Sequence, residues 1–96
     1  MTGEMSRETV TREAYPIHFA LADELKGTVE PFDQYQGPYV HALQTRFWVI
    51  VEENGAECRL YDERNDKQSP RFLWGDSGRA VELVRDRRRW RRIKRD

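Results

Sequence analysis

The segment Arg85–Arg95 concentrates the side chains most able to do chemistry in this 96-residue chain. Guanidinium groups are good ligands for phosphate and carboxylate, and an indole such as that of Trp90 could stack on a base or close a groove. The candidate contacts with a partner or with phosphate are Arg85, Arg88, Arg89, Trp90, Arg92 and Arg95. Three alternatives stay open for them: carboxylates of this protein or of a second copy, a nucleic-acid backbone, or water alone.

The distribution of charge bears on that choice. Residues 1–76 carry 8 basic and 14 acidic side chains, and residues 77–96 carry 9 basic and 3 acidic ones. The formal net charge of zero therefore hides an acidic body and a basic tail. An acidic body repels a polyanion everywhere except at the tail, and no common nucleic-acid recognition motif is present. Protein carboxylates are the favoured partner, and nucleic acid is the alternative.

A second candidate site is the aromatic loop that ends at Tyr39. Phe32, Tyr35 and Tyr39 lie among amides and turn residues. Such rings could stack on a small molecule or a peptide while the amides orient it. The alternative is that the rings only cover the edge of the core.

Other reactive residue types lack partners at a useful spacing. Cys58 is the only cysteine, so we expect a buried thiol without a disulfide in a reducing cytoplasm. His18 and His41 stand far apart, with no nucleophile or cysteine at a telling distance, and His18 is expected at the surface or hydrogen-bonded. The sequence therefore predicts no enzyme activity, no metal site and no cofactor.

The N-terminal part of the chain predicts one helix. Residues 1–13 are expected to be loosely ordered, and residues 14–96 to form a single domain. Pro16 is a good first helical residue, apolar residues then recur at helical spacing, and Gly27 follows as a C-cap, which predicts a helix over 16–26. A strand is the alternative there, because apolar residues also alternate.

The middle of the chain predicts an antiparallel sheet. A loop over 28–38, with a short strand near Val29, leads to segments of strand composition at 39–44 and 46–52. The continuous apolar run 47–51 indicates a central strand that is covered on both faces.

Asn54-Gly55 predicts a hairpin with a two-residue type I′ turn. That turn pairs Val51 with Cys58, Val49 with Leu60 and Trp48 with Tyr61. It also sets Glu52 against Glu57, a like-charge pair that costs stability unless it lies at the exposed hairpin end or the turn is longer than two residues.

The C-terminal part predicts a short strand at 72–74 and then a helix that begins near Asp76 and continues to about residue 94. This helix should pack on one face of the sheet through Ala80, Leu83, Val84 and Trp90. The predicted class is α+β: a short N-terminal helix, an antiparallel β-sheet of three to five strands, and a long C-terminal helix packed on one face.

Composition limits the functions that such a domain can have. With 38% hydrophobic and 35% charged residues, the chain offers a small core, and no apolar stretch is long enough for a transmembrane or signal segment. Its size and arginine content are compatible with an accessory protein of a mobile element. We expect a non-catalytic protein-interaction module that self-associates as a homo-oligomer without membrane contact. The alternative is a nucleic-acid-associated accessory protein that binds phosphates through the Arg-rich helix.

Overall fold

A computed structural model of the chain describes residues 9–31 and 37–93. In chain order its elements are α1 (Pro16–Leu25), β1 (Thr28–Glu30), β2 (Tyr39–Ala42), β3 (Thr45–Val51), β4 (Glu57–Asp62), β5 (Lys67–Gln68), β6 (Phe72–Leu73), α2 (Ser77–Arg85), a 3-10 helix (Arg87–Arg89) and β7 (Arg91–Arg92). The protein is of the α+β class, as predicted.

All strands belong to one antiparallel sheet of seven strands, in the order β1-β2-β3-β4-β5-β7, with β6 on the same edge of β4 as β5. The predicted number of three to five strands is too low. Three of the strands, β5, β6 and β7, have only two residues each, which is too short to show an alternating pattern in the sequence.

The core lies on one face of the sheet, which we call the inner face. Both helices pack there, and Ala80, Leu83, Val84 and Trp90 all join the buried cluster, as predicted. The opposite, outer face carries neither of these helices. The prediction that β3 is covered on both faces is therefore wrong: Ile50 on the outer face retains 39% of its accessible surface.

Helix α1 confirms the predicted helix and excludes the strand alternative. The left-handed residue at its end is Lys26, with φ of 57°, rather than Gly27. Gly27 has a different role, because a Cβ there would collide with the carbonyl oxygen of His41 and lie 2.6 Å from Cβ of Ala42. Close approach of the chain to β2 therefore requires glycine at this position.

The β3–β4 hairpin has the predicted register, with Val51 opposite Cys58 and Trp48 opposite Tyr61. Its loop is longer than predicted: the amide of Glu52 donates to the carbonyl of Glu57, which leaves the four residues 53–56 in the turn. Gly55 has a positive φ of 71°, but Asn54 has not, so the turn is not of type I′.

Each glutamate at this hairpin end has a partner of its own, which relieves the repulsion within the Glu52–Glu57 pair. Glu52 accepts hydrogen bonds from Arg59 at 2.9 and 3.1 Å and lies 3.2 Å from Arg71, while Glu57 accepts from the Asn54 amide at 3.2 Å. The side chains around the loop thus keep two like charges on adjacent strands.

A two-residue turn of the I′ kind occurs instead between β2 and β3. Ala42 pairs with Thr45, and the intervening Leu43 and Gln44 have φ of 54° and 62°. Neither residue type favours that conformation, so the sequence did not signal the turn.

Residues 1–8 of the N-terminal segment lie outside the described residues. Residues 12–14 form a turn that leads into α1. Before it Val10 is buried, and Arg12 forms an ion pair with Asp23 of α1 at 2.8 Å. In the part of the chain that the structure describes, no helix has the length and apolar character needed to cross a bilayer.

Candidate functional site

The Arg-rich segment does not continue α2, and the predicted long C-terminal helix is wrong. Helix α2 ends at Arg85, a 3-10 helix follows over Arg87–Arg89, and Arg91–Arg92 pair with β5 as the last strand of the sheet. Arginine is a good helix former, so intrinsic propensity does not explain the break. Its cause is tertiary, since the chain turns back to bring Trp90 under the sheet.

Trp90 is 5% exposed and packs edge to face against Phe47, with ring centroids 6.3 Å apart. Its indole N–H donates to the carbonyl of Leu83 at 2.9 Å, and Arg87 donates to the carbonyl of Val84 at 2.8 Å. Both bonds reinforce the end of α2, where the backbone amide of Asp86 also donates to the carbonyls of Leu83 and Val84. The ring of Trp90 is therefore part of the core, as the packing prediction had it, and its faces are not exposed at the surface.

The arginines of this segment have different surroundings, because they no longer share one helix face. Arg85 forms two hydrogen bonds with Glu24 of α1, both of 3.0 Å, so for this residue a carboxylate of the same chain is the partner. This contact holds the pKa of Glu24 below its usual value. Arg88 and Arg89 lie 3.9 and 3.5 Å from Asp86.

The remaining candidates of the segment lie at the surface or beyond the described part. The side chains of Arg88 and Arg89 are 86% and 76% exposed, and Arg92 is exposed on β7. Arg95 falls outside the described residues. The predicted site is thus divided: Arg85 forms an intrachain ion pair, Trp90 belongs to the core, and the other described arginines are exposed.

A basin forms where the Arg-rich segment meets the turn after β4. Its volume is about 450 Å3, and its lining residues are Asp62, Asn65, Lys67, Arg85, Arg87 and Arg88. Four of these are cationic, and they come from β5, the end of α2 and the 3-10 helix. We call this the basic basin.

Of the predicted aromatic loop, Phe32 and Tyr35 lie outside the described residues. Tyr39 begins β2 on the outer face and contacts Trp48 of β3, with ring centroids 5.1 Å apart. The guanidinium of Arg46 lies 5.0 Å from the centroid of the Tyr39 ring, a cation–π contact. Tyr39 therefore belongs to a sheet surface rather than to a loop site.

That surface is a row of side chains that crosses the outer face on six adjacent strands. The register places Glu30 opposite Tyr39, Trp48 opposite Tyr61, Tyr61 opposite Gln68, and Gln68 opposite Arg91. The ring contact between Tyr39 and Trp48 joins the two halves. We call this set the aromatic row; its members are Glu30, Tyr39, Trp48, Tyr61, Gln68 and Arg91.

The aromatic row has an acidic end, an apolar centre and a basic end. Its rings are oriented by hydrogen bonds: Trp48 donates to Glu63 at 2.9 Å, and Tyr61 donates to Asp66 at 2.7 Å. A depression of about 390 Å3 opens beside Trp48, Ile50 and Tyr61 at the centre of the row. Rigid aromatic rings beside a depression and a polar rim are typical of protein interfaces.

The thiol of Cys58 and the imidazole of His18 are both buried. Cys58 is buried, as predicted, and burial raises its pKa to about 11. Of the two settings expected for His18, surface or hydrogen-bonded, the structure shows the second: the side chain is 4% exposed and has a hydrogen bond to the backbone of Pro38. Desolvation nevertheless lowers its pKa to about 4. Its Nδ1 has no hydrogen-bond partner among the described residues.

Metal ligands do not cluster in the described ranges 9–31 and 37–93: no group of three or more His, Cys, Asp or Glu residues there could hold an ion. His41 is exposed on β2, next in register to Arg46.

Sequence reasoning missed the outer face as a site. The hairpin register already places Trp48 beside Tyr61, and this was a usable signal. Tyr39 could not be aligned with them, because the turn at Leu43–Gln44 has no recognisable turn sequence. Arg91 was assigned to a helix, which concealed its place at the end of the row.

Comparisons with known proteins return no match for this chain among protein-family models, curated proteins or solved structures.

Proposed function

We propose that this protein is a non-catalytic interaction module that self-associates through the outer face of its sheet. The observation that carries the proposal is the aromatic row, which runs from Glu30 through three rings to Arg91. A row with opposite charges at its two ends is complementary to a reversed copy of itself.

The symmetry of a dimer provides that reversal. Two outer faces related by a two-fold axis parallel to the strands meet with their rows antiparallel, as an isologous interface requires. The centre of the row falls between Trp48 and Tyr61, so Glu30 of one copy lies opposite Arg91 of the other. Arg46 and Glu63, which lie side by side next to the row, support the same arrangement, because Arg46 of one copy then faces Glu63 of the other.

The balance of charge favours protein over nucleic acid as the occupant of this face. Acidic and basic side chains alternate around the rings, and Arg59 and Arg71 are already paired with Glu52. A surface that binds single strands by stacking combines its rings with a positively charged groove. Mixed charge around aromatic rings suits another protein surface, where complementary charges set the register.

The absence of enzyme activity is part of the proposal. The thiol of Cys58 is buried with a raised pKa, and His18 is buried with a lowered one, so neither is placed to act as a nucleophile or a base near neutral pH. A single buried cysteine also suits a reducing cytoplasm, which we propose as the compartment.

Two neighbouring substitutions on β3 test the proposed interface. Ile50 and Val51 are both partly exposed, at 39% and 49%, but they lie on opposite faces of the sheet. Ile50→Lys places a charge in the interface and should abolish dimer formation in sedimentation equilibrium, whereas Val51→Lys should leave it intact. A wild type that remains monomeric at high micromolar concentration, or a dimer lost only with Val51→Lys, contradicts the proposal.

Binding to the phosphates of a nucleic acid is the second candidate function. The exposure of Arg88, Arg89 and Arg92 favours it. It requires an affinity for duplex DNA that falls with salt, by roughly 0.9 in log K per phosphate contact for each unit of log salt concentration. Binding of a duplex by the monomer, with that salt dependence, would favour this function over self-association.

A further inference from the structure

The basic basin is separate from the aromatic row, and most of its lining residues are cationic. Lys67, Arg85, Arg87 and Arg88 contribute four positive charges to its lining, against the single carboxylate of Asp62. Like charges gathered in a concave surface repel one another and focus a positive potential, which an anion relieves. We infer that the basic basin binds a compact, multiply charged phosphate group.

The carboxylate of the basin, Asp62, accepts its hydrogen bonds from neutral donors. Asp62 is 6% exposed and accepts the hydroxyl of Thr45 at 2.8 Å and the side-chain amide of Asn65 at 2.7 Å. The backbone amide of Asn65 donates to it at 3.3 Å. These bonds hold the turn between β4 and β5 in place, and none of them uses a cation of the basin.

The cations keep donor capacity for a ligand. Glu24 takes two of the five N–H donors of Arg85, and the carbonyl of Val84 takes one from Arg87. The guanidinium of Arg88 is 86% exposed and only 3.9 Å from Asp86, which is a weak ion pair. Glu24, Asp86 and Asp62 offset three of the four charges, so the lining keeps a surplus of one positive charge, to which the exposed Arg89 beside Asp86 adds another.

The shape favours a compact phosphate over a nucleic-acid strand. The basin is an open depression of about 450 Å3, which is ample for one phosphate or diphosphate group. A strand needs a positive surface that extends beyond one basin, and the acidic body of this chain does not supply it. One phosphate or diphosphate group can contact cations from three elements at once, with the charge-assisted bonds that guanidinium forms.

The experiment uses inorganic pyrophosphate as the probe and isothermal titration calorimetry as the measurement. The wild-type chain should bind pyrophosphate saturably, and sodium chloride at the same ionic strength should give no such signal. Arg88→Ala and Lys67→Gln should each weaken binding by about ten-fold, the loss expected for one charge-assisted contact. Arg79→Ala is the matched control, because it removes one cation from α2 outside the basin.

Equal weakening by Arg79→Ala would assign the effect to net charge and overturn the inference, as would a wild type that ignores pyrophosphate. A short duplex DNA that binds more tightly than pyrophosphate, with the same sensitivity to Arg88→Ala, would overturn the assignment to a compact ligand. The interface variant Ile50→Lys should retain pyrophosphate binding, which separates this test from that of self-association.

Discussion

The indole N–H of Trp90 donates to the carbonyl oxygen of Leu83 across 2.9 Å, and this bond ties the segment after α2 back onto the helix from which it emerges. The same ring lies against Phe47 of β3. Trp90 thereby links the last turn of α2 to the sheet and directs Arg91 to the edge of the sheet, where it ends the aromatic row.

Substitution of Trp90 should therefore affect stability rather than ligand binding. Trp90→Ala should lower the free energy of unfolding by about 3–5 kcal/mol, because it leaves a cavity beneath the sheet. Trp90→Phe should lower it by about 1 kcal/mol, because it retains most of the apolar contact and removes only the indole hydrogen bond to the Leu83 carbonyl, which keeps the amide of Asp86 as a donor. Urea denaturation followed by circular dichroism measures both changes, and a neutral Trp90→Ala would contradict the core position.

Gly27 should not tolerate even a methyl group. A Cβ there meets the backbone of β2, which cannot move without disturbing the sheet, so Gly27→Ala should cost about 3 kcal/mol of stability. Gly78→Ala is the control, because its added Cβ meets only the Asp76 carboxylate at 3.8 Å. It should be neutral or stabilising by about 0.5 kcal/mol. Equal effects of the two changes in the same denaturation assay would contradict the packing described for Gly27.

The buried His18 should make the protein less stable as the pH falls. Its pKa is about 4 in the folded protein, against 6.5 for an unperturbed histidine, so between these values the unfolded chain binds a proton that the folded one does not. Stability should decline by about 3 kcal/mol as the pH falls from 7 to 4. The lowered pKa values of Asp23 and Glu24 add a further loss of stability, which begins near their ordinary values of 3.8 and 4.5 and so overlaps only the acidic end of the His18 range.

Urea denaturation as a function of pH tests the assignment of this slope to His18. His18→Leu should flatten the profile between pH 6.5 and about 4, since the titrating group is gone. A profile that His18→Leu does not alter would assign the slope to other groups.

Substitutions in the turn between β2 and β3 should be able to raise the stability of the protein. Leu43 and Gln44 both hold a positive φ, which costs most side chains energy, and Leu43 is 54% exposed, so its replacement sacrifices little packing. The double change Leu43→Asn with Gln44→Gly should raise the unfolding free energy by about 1 kcal/mol, measured by thermal denaturation. Gly55→Ala, at φ of 71° in open space, should lower it by about as much.

Sequence reasoning reached the elements that local patterns specify. The spacing of apolar residues correctly predicted α1. The dipeptide Asn54-Gly55 correctly predicted the pairing of Val51 with Cys58, although the loop between β3 and β4 has four residues and not two. The burial of Trp90 was predicted for the wrong reason, because it reaches the core from an extended segment and not from a helix.

The remaining features depend on contacts that a single sequence does not display. A run of arginines looks helical, and only the tertiary position of Trp90 ends the helix at Arg85. The aromatic row depends on registers between strands that include two-residue elements, so Glu30 and Arg91 had no visible relation in the sequence.

The most direct test of the proposed interface is a charge exchange at the two ends of the aromatic row. Glu30→Arg and Arg91→Glu should each raise the dimer dissociation constant by about ten-fold, because each places like charges at two symmetric contacts worth about 0.7 kcal/mol apiece. The protein that carries both substitutions should regain the wild-type constant in sedimentation equilibrium. A double variant that is as weak as the weaker single variant, or single variants that dimerise like the wild type, would contradict the antiparallel pairing of outer faces.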